Sequence, residues 1–254
     1  MIIILSPAKR LDYDTPAPTD KISQVLFNQE SEYIGKLSYD LGRDKLKKLM
    51  NLSDNLADIT QKRFENFISN SPQQKQALFV FNGDVYEKMN RSNYNELDIE
   101  FAQKKLRIIS GVYGVLRPLD QIKPYRLEMS VKLENKDGKD LYAFWKDKVT
   151  HKLSKEVLQE KDNILLNLAS NEYSSVIDKK NFKGRIIEVI FKEYRDGKLR
   201  NIPINSKRAR GMMADFIIKN HIEDINELEN FDISGYKYSN DNSSFNEMVF
   251  IKGK

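Results

Sequence analysis

The sequence predicts an α/β fold in which helices surround a mixed β-sheet, as a single domain over residues 1–254. Three observations support this prediction. Short apolar runs recur along the chain, longer segments with helical periodicity lie between them, and two Asp-Gly pairs mark tight turns. Alternating strands and helices are typical of crossover connections, and Asp-Gly pairs are typical of hairpins, so one sheet is expected to contain both.

Five short apolar, β-branched or aromatic runs are predicted to be strands, because turn-forming residues bound them. Continuous apolar runs of this kind favour strands that are buried on both faces. The predicted strands are Ile2–Leu5, Ala77–Phe81, Leu106–Ile109, Ile164–Leu168 and Ile186–Phe191.

Four longer segments place apolar residues three and four positions apart, which is the spacing of one helix face. Leu46, Leu49 and Met50 illustrate this spacing. The predicted helices are Ile22–Leu37, Arg43–Phe67, Tyr142–Leu158 and Ala209–Asn220.

Hairpins are predicted at three places. Asp137-Gly138 and Asp196-Gly197 tolerate the positive φ of a tight primed turn, and good strand sequence flanks the second pair. Near the end of the sequence, Tyr236–Tyr238 and Met248–Ile251 are separated by a polar loop and resemble a further hairpin.

Composition excludes several kinds of chemistry. The chain has no cysteine, which rules out disulfides, thiolate catalysis, zinc–thiolate sites and iron–sulfur clusters. The two histidines, His151 and His221, are far apart and form no His-Glu-x-x-His motif, so we predict no metal site and no cofactor. A formal net charge of +5, from 42 basic and 37 acidic residues, permits a polyanionic partner without requiring one.

The sequence also predicts where the protein resides. No apolar run approaches the roughly 20 residues of a membrane-spanning helix. The first residues have no charged leader, and their apolar run is too short for a signal peptide. We therefore expect a cytoplasmic protein without membrane association. No heptad pattern indicates an oligomeric state.

Polar segments follow the first two predicted strands, at the strand ends where open α/β sheets bind ligands. Lys9, in the segment Ser6–Asp12, is suited to a phosphate group. Asp84, in Phe81–Tyr86, is expected at the same sheet edge. A polar loop leaving the sheet and an Asn-Gly turn are the structural alternatives.

The most informative segment is Ser110–Met129, which combines closely spaced glycines, tyrosines and arginines. Gly111 and Gly114 permit a tight turn whose amides can face a phosphate. Arg117 and Arg126 supply planar sets of donors suited to phosphate or carboxylate. This combination predicts an anion site.

The same glycines are similar to those of a helix-hairpin-helix, which grips the DNA backbone, although they bracket two residues rather than one. The alternative is a glycine-rich turn with aromatic packing by Tyr113 and Tyr125, in which Leu106–Ile109 is a strand and not the end of a helix. The two arginines favour the anion site, because a packed turn does not need them.

A fourth polar segment, Asn167–Tyr173, follows another predicted strand and contains Glu172. This carboxylate is suited to acid–base chemistry, but an Asn or Ser helix cap with an acidic first turn has the same sequence. Both interpretations remain open at this point.

The fifth segment, Ser206–Met213, begins with a residue suited to capping a helix. Lys207, Arg208 and Arg210 then fall near the predicted helix N-terminus, where each positive charge costs about 0.3–1 kcal/mol. A bound anion would reverse that cost, because amides, dipole and side chains would act together. We therefore predict an anion site here.

These segments together resemble the YaaA family of bacterial peroxide stress proteins, in order and spacing along most of the chain. The matching residues are Ser6–Lys9 with Leu11-Asp12, Gly83–Tyr86, Ser110–Asp120, Pro124–Met129, Asn167–Tyr173, Ala209–Met212 and Ser243-Ser244 to Phe250. The resemblance implies a cytosolic protein that limits hydrogen peroxide damage and lowers free iron. It also implies a single-domain fold that binds DNA through a positively charged cleft and a helix-hairpin-helix-like element.

The first functional hypothesis is a protein that binds duplex, bubble or junction DNA without strong sequence preference. Backbone amides at Gly111 and Gly114 are expected to contact phosphates, and Tyr113 or Tyr125 to stack on an unpaired base. The side chains expected to contact phosphates are Lys9, Arg117, Arg126, Lys207, Arg208 and Arg210.

The second hypothesis is an enzyme acting on a nucleotide or nucleic acid, with Asp84, Glu128 and Glu172 as candidate catalytic carboxylates. A binding protein needs only cations, so buried carboxylates in the same cleft would favour an enzyme. A third hypothesis, a structural protein whose motifs only stabilise turns, explains the glycines but not the arginines.

Overall fold

The computed structural model describes residues 1–69 and 73–253. The strands are β1 (Ile2–Leu5), β2 (Lys75–Gln76), β3 (Leu106–Ser110), β4 (Gly114–Leu116), β5 (Gln121–Ile122), β6 (Ile164–Asn167), β7 (Arg185–Arg195), β8 (Lys198–Arg200), β9 (Tyr236–Tyr238) and β10 (Glu247–Lys252). The helices are α1 (Asn28–Met50), α2 (Asp54–Ile68), α3 (Ala77–Val80), α4 (Glu96–Lys105), α5 (Leu141–Val157), α6 (Asn171–Ser174) and α7 (Pro203–Lys219).

Within the described residues, the strands other than β2 and β5 form one sheet in the order β4-β3-β1-β6-β7-β10-β9, with β8 also paired to β7. The strands from β3 to β10 in this order run parallel, and β4, β8 and β9 add antiparallel pairs. Ile3 is fully buried and lies opposite both Leu106 and Leu166. The predicted mixed sheet with surrounding helices is confirmed, and the carboxyl ends of β1, β3 and β6 lie side by side.

Four of the five predicted strands are confirmed, as β1, β3, β6 and β7. The prediction for Ala77–Phe81 is wrong, because residues Ala77–Val80 form the single helical turn α3. Ala77, Leu78 and Val80 are fully buried. A short apolar run has no periodicity that separates a buried strand from a buried helical turn.

The predicted helices are present with different bounds. The segment Ile22–Leu37 becomes helical only at Asn28, because Ser23 is extended and its backbone pairs with Leu119 and Gln121. The segment Arg43–Phe67 divides at Asn51, where φ is 51°, and Ser53 then caps α2. The α5 prediction is confirmed to within one residue at each end.

Helix α1 bends at Gly42, where φ is 74° and ψ is 164°. These angles lie outside the helical region and are readily adopted only by glycine. The residues after the bend therefore form a separate helical arm that packs with α2. Arg43 at the start of this arm pairs with Asp54 and Asp58 of α2.

Two of the predicted hairpins are confirmed as strand pairs. Asp196 and Gly197, with φ of 52° and 71°, connect β7 to β8, and β9 pairs antiparallel with β10. The turn at Asp137-Gly138 closes through one isolated bridge between Asn135 and Gly138 and has no flanking strands.

The helix-hairpin-helix-like element expected at Gly111–Gly114 is not formed there. This segment joins β3 to β4, so strands and not helices flank the turn. A Cβ on Gly111 would lie 2.5 Å from the Leu127 carbonyl oxygen, and one on Gly114 would lie 2.5 Å from the Trp145 ring. The glycines are therefore explained by close packing inside a β-hairpin, which was the alternative interpretation.

Candidate functional site

A cavity of about 410 Å³ lies at the carboxyl ends of β1 and β6, and we call it the strand-end cleft. The segments after these two strands form two of its walls, and the segment after α3 and one face of α7 complete it. The lining residues are Ser6–Arg10, Asn82–Glu87, Leu168, Ser170, Glu172, Tyr173, Lys207 and Arg210. Four of the five polar segments singled out in the sequence therefore meet here.

Short polar contacts hold the walls together. Ser170 donates its backbone N–H to Ser6 Oγ (2.8 Å), and the buried Tyr86 donates its hydroxyl to the Ser6 carbonyl (2.8 Å). Helix α7 approaches the segment after α3 at Gly211, where a Cβ would lie 1.9 Å from the Val85 carbonyl oxygen. Only glycine permits this approach, which brings the basic face of α7 to the cleft.

Arg210 is the most exceptional cation of the cleft. Its Nε is buried, and no described residue accepts a hydrogen bond from it. Burial lowers the pKa of Arg210 from its usual value, and attraction by Glu188 opposes that shift in part. A buried charged donor without an acceptor is costly, and an anion bound in the cleft would remove that cost.

The other two basic residues of α7 differ in their contacts. Lys207 is exposed at the cleft, and Arg208 lies 3.4 Å from Asp84, measured from Nε to Oδ1. Because α7 begins at Pro203, all three basic residues lie beyond its first turn. The prediction that they surround a helix N-terminus capped by Ser206 is therefore wrong. Ser206 is buried, and its hydroxyl lies within hydrogen-bond distance of two acceptors, Asn201 Oδ1 (2.9 Å) and the Phe191 carbonyl oxygen (3.3 Å).

Glu128 also carries an unpaired polar atom, as do Arg126 and Arg208 at their Nε. Its Oε1 lies 3.0 Å from Lys9 Nζ and 3.3 Å from Arg126 Nη2. Its Oε2 is buried, and no described residue donates a hydrogen bond to it. Nearby, Glu172 Oε1 accepts hydrogen bonds from both the backbone N–H and the hydroxyl of Ser130.

A second cavity, of about 800 Å³, lies on the other side of Lys9 and Glu172, and we call it the α1 cavity. The arm of α1 after Gly42 forms one wall, and the segment 128–134 forms the other. Its lining residues are Lys9, Leu41, Lys45, Lys48, Leu49, Met50, Asn51, Glu128, Ser130, Val131, Lys132, Leu133, Glu134 and Glu172. Nothing in the sequence of α1 separates these residues from an ordinary amphipathic helix.

The tyrosines of the third segment do not face either cavity. Tyr113 is buried, and its hydroxyl accepts a hydrogen bond from Lys123 N (2.9 Å). Tyr125 is also buried, with its hydroxyl 2.7 Å from Ser110 Oγ. Burial raises the pKa of both phenols. The expectation that either ring stacks on a base does not agree with this placement.

Arg117 and Arg126 also differ from their expected setting. Arg117 is held by Asp120, to which its Nη2 lies 2.9 Å, and by the Gln24 carbonyl, outside both cavities. Arg126 lies behind Glu128, with its Nε buried and without an acceptor among the described residues. The structure thus brings Lys9, Asp84, Glu172, Lys207 and Arg210 together, with Glu128, Arg126 and Arg208 adjacent. It leaves Gly111, Tyr113, Gly114, Arg117 and Tyr125 outside.

Three further residues of the cleft belong to polar segments singled out in the sequence, although the sequence did not identify them individually as site residues. Ser6, Ser170 and Tyr173 line the cleft, and burial, followed by the charge of Glu172, raises the pKa of Tyr173 well above its ordinary value. Tyr173 therefore stays a neutral hydroxyl at the wall. Their position just after predicted strand ends is the sequence signal by which these residues could have been identified.

Over residues 1–69 and 73–253, no three acidic or histidine side chains converge as a metal-binding group would. Over the same residues, no helix combines the length and the apolar character needed to cross a bilayer.

Comparison with known proteins gives a consistent result. The family model described as "Peroxide stress protein YaaA" matches residues 1–242. A UPF0246 protein of Alteromonas mediterranea is 41% identical over 256 residues, which cover 100% of this chain and 99% of that protein. A UPF0246 protein of Crocosphaera subtropica is 42% identical over 252 residues, which cover 99% of this chain and 100% of that protein.

Proposed function

The chain belongs to the family of the peroxide stress protein YaaA, and from this membership we propose that it binds DNA through the strand-end cleft and so limits peroxide damage. The proposed protection is indirect and concerns iron-dependent damage, because the chain has no cysteine with which to reduce peroxide. The proposed partner is duplex, bubble or junction DNA without strong sequence preference.

The observation that carries this proposal is Arg210, a half-buried residue of the cleft whose Nε is buried and has no acceptor among the described residues. Lys207 and Lys9 line the same cleft, and Arg208 lies at its edge beside Asp84. Phosphate oxygens would supply an acceptor to Arg210 and would compete with Glu128 and Asp84 for Lys9 and Arg208, and guanidinium groups suit phosphate geometry.

The size of the strand-end cleft indicates which form of DNA it suits. A volume of about 410 Å³ lies in the range of roughly 300–1,000 Å³ that holds a small ligand, such as one nucleotide. A continuous duplex cannot enter it and would contact only the rim. We therefore expect bubble or junction DNA, with unpaired nucleotides, to bind more tightly than a plain duplex.

The test is a binding titration of the full chain with duplex, bubble and four-way-junction DNA over a series of salt concentrations. If Lys9, Lys207, Arg208 and Arg210 neutralise about four phosphates, log affinity falls against log salt with a slope of about −3 to −4. Lys207→Ala and Arg210→Ala should each weaken binding about tenfold, equally for all sequences. Lys237→Ala, which removes an exposed lysine of β9, is the matched control. Salt-insensitive binding, or equal losses in the control, would refute the proposal.

The buried carboxylate of Glu128 favours a second candidate, an enzyme that acts on a nucleotide or nucleic acid. Glu128 lies 3.0 Å from Lys9, and Glu172 and Asp84 line the strand-end cleft beside it. Carboxylates among cations are a common acid–base arrangement. Incubation with nucleoside triphosphates and oligonucleotides, followed by mass spectrometry, tests this candidate. Product that forms with the unaltered chain and not with Glu128→Gln supports it, and unchanged substrate in both samples rejects it.

A further inference from the structure

The strand-end cleft and the α1 cavity are adjacent, because Lys9 and Glu172 line both of them. The combined space is larger than a phosphate group needs. The two parts also differ in chemistry, so a ligand that fills both must have two different ends.

The strand-end cleft provides cations, with Lys207 and Arg210 on the wall contributed by α7. In the α1 cavity, the buried and half-buried lining residues are mainly apolar, namely Leu41, Leu49, Met50, Val131 and Leu133, whereas the exposed lining residues include the four lysines Lys9, Lys45, Lys48 and Lys132. An anionic group suits the first space, and a flat apolar ring suits the second.

Glu128 lines the α1 cavity close to the boundary between the two spaces. Lys9 and Arg126 occupy its Oε1, whereas its Oε2 is buried without a donor among the described residues. The side chain is 14% exposed, so the carboxylate must turn towards the α1 cavity before a ligand there can reach this oxygen. A ligand in the α1 cavity therefore gains most if it donates a hydrogen bond there.

We propose that the two cavities form one binding site for a nucleoside phosphate, with the phosphate on Lys207 and Arg210 and the base in the α1 cavity. An amino or hydroxyl group of the base or sugar donates to Glu128 Oε2. The site requires a phosphate group, a ring and a hydrogen-bond donor. Inorganic phosphate lacks the ring and an acyl phosphate lacks the donor, whereas a nucleoside phosphate has all three. The inference rests on the proposed function, because it assumes that the strand-end cleft binds phosphate groups.

A nucleoside phosphate has two sources, a free nucleotide and a nucleotide within a strand. Calorimetric titration of the full chain with the common nucleoside monophosphates and with a 12-residue single-stranded oligonucleotide distinguishes them. Ribose 5-phosphate and inorganic phosphate are the truncated probes. We expect at least one nucleoside phosphate, free or in the strand, to bind tenfold or more tightly than both truncated probes.

Two variants assign the contacts. Glu128→Gln replaces the unpaired acceptor by a donor, and Met50→Trp fills the α1 cavity. Each should weaken nucleoside phosphate binding about tenfold, and Met50→Trp should leave inorganic phosphate binding unchanged. Leu97→Trp, at an exposed position in α4 that lines neither cavity, is the control for added bulk. Thermal unfolding of each variant verifies that it folds.

The outcomes separate this inference from the proposed function. Oligonucleotide binding that is lost in Arg210→Ala but retained in Glu128→Gln and Met50→Trp overturns the nucleoside site and leaves DNA binding intact. Binding of neither phosphate nor oligonucleotide overturns both proposals. If the unaltered chain binds the oligonucleotide but no free nucleotide, and both Glu128→Gln and Met50→Trp lose oligonucleotide binding, the result supports the site. It also shows that the nucleotide bound there belongs to a strand.

Discussion

Arg210 and Glu128 each hold one polar atom in a buried position without a partner among the described residues. Buried polar atoms are usually hydrogen-bonded, so such exceptions require an explanation. The two residues have opposite charge and lie at the two adjacent cavities. A single ligand with an anionic group and a hydrogen-bond donor would satisfy both. The site therefore has a positively charged side chain at one cavity and a negatively charged side chain at the other.

Asp98 provides a prediction about pH. Burial favours the neutral form, but hydrogen bonds from Lys219, Asn95 N and His221 outweigh it and hold the pKa of Asp98 below its usual value. A depressed folded-state pKa stabilises the protein above the unfolded value near 3.8, and this contribution disappears as pH falls towards the folded value. Denaturant unfolding between pH 7 and pH 3 measures it.

Asp98→Asn should remove part of the pH dependence below pH 5 and lower the stability at pH 7. A slope of stability against pH that is the same in the variant and the unaltered chain would contradict this assignment. Asp232→Asn, at an exposed carboxylate paired with Lys237, is the control.

Gly211 provides a prediction about packing. A Cβ at this position would lie 1.9 Å from the Val85 carbonyl oxygen, a backbone atom that cannot rotate away. Gly211→Ala should therefore destabilise the protein by about 3 kcal/mol and displace α7 from the strand-end cleft. Thermal unfolding measures the loss of stability, and a phosphate-binding titration reports the displacement of α7. Gly253→Ala, with no atom within 4 Å of the added Cβ, is the control for glycine replacement. A melting temperature equal to that of the control would exclude the close contact.

The role of single residues was only partly predictable from sequence. Lys9 and Glu172 both follow strands whose ends meet at one sheet edge, and both line the strand-end cleft, so their position could be predicted from the sequence. Tyr113 and Tyr125 were expected at a surface, but their rings are buried and lie 5.4 Å apart between centroids. A tyrosine beside arginines has the same sequence pattern whether its ring packs inwards or outwards.

At the scale of elements, the α1 arm after Gly42 sets the shape of the α1 cavity, because Lys45, Lys48, Leu49 and Met50 all belong to it. Sequence periodicity identified α1 and α2, but it placed their boundary at 37–43 instead of Asn51. Glycine in a helical pattern indicates either a helix end or a bend, and the packing on α2 decides between them. The short helix α3 was missed for a similar reason, since four buried apolar residues have no measurable period.

Gly42→Ala tests the bend. The added Cβ meets no atom within 4 Å, so only the backbone strain at φ of 74° opposes it. We expect a loss of about 1–2 kcal/mol, or a straightening of α1 that widens the α1 cavity. Denaturant unfolding measures the first effect, and nucleoside phosphate binding reports the second. Gly197→Ala, also at positive φ without neighbours but in the β7–β8 turn, is the control: it should cost stability and leave binding unchanged.

At the scale of the whole molecule, the candidate site is assembled from segments that are distant in sequence. The walls of the strand-end cleft come from residues 6–10, 82–87, 168–173 and 207–210. The sequence predicted that strand ends would meet, because parallel strands share an edge. It did not predict which ends become neighbours, since strand order depends on long-range pairing. The position of α7 over the cleft likewise depends on the contact at Gly211.

The tryptophan at position 145, the only one in the sequence, reports on this assembly. Its ring is fully buried, packs on Phe27 and Phe144, and donates Nε1–H to the Gly111 carbonyl (2.9 Å). If the sheet and the surrounding helices unfold as one unit, tryptophan fluorescence and far-ultraviolet circular dichroism should change at the same denaturant concentration. Separate midpoints would show that the region around Trp145 unfolds independently. Unfolding of Trp145→Phe, measured by circular dichroism alone, is the control that shows how much the tryptophan itself contributes to the unfolding midpoint.

The central position of β1 has a consequence for how the chain folds. Ile3 lies between Leu106 and Leu166, so β1 acquires its two neighbours only after contacts form across more than a hundred residues. Sheets built from such distant pairs form slowly, because a long loop must close before any pairing energy is gained. Until then, the apolar run Met1–Leu5 has both edges open to other chains. Refolding at high protein concentration therefore favours aggregation, and dilution or slow removal of denaturant favours the native sheet.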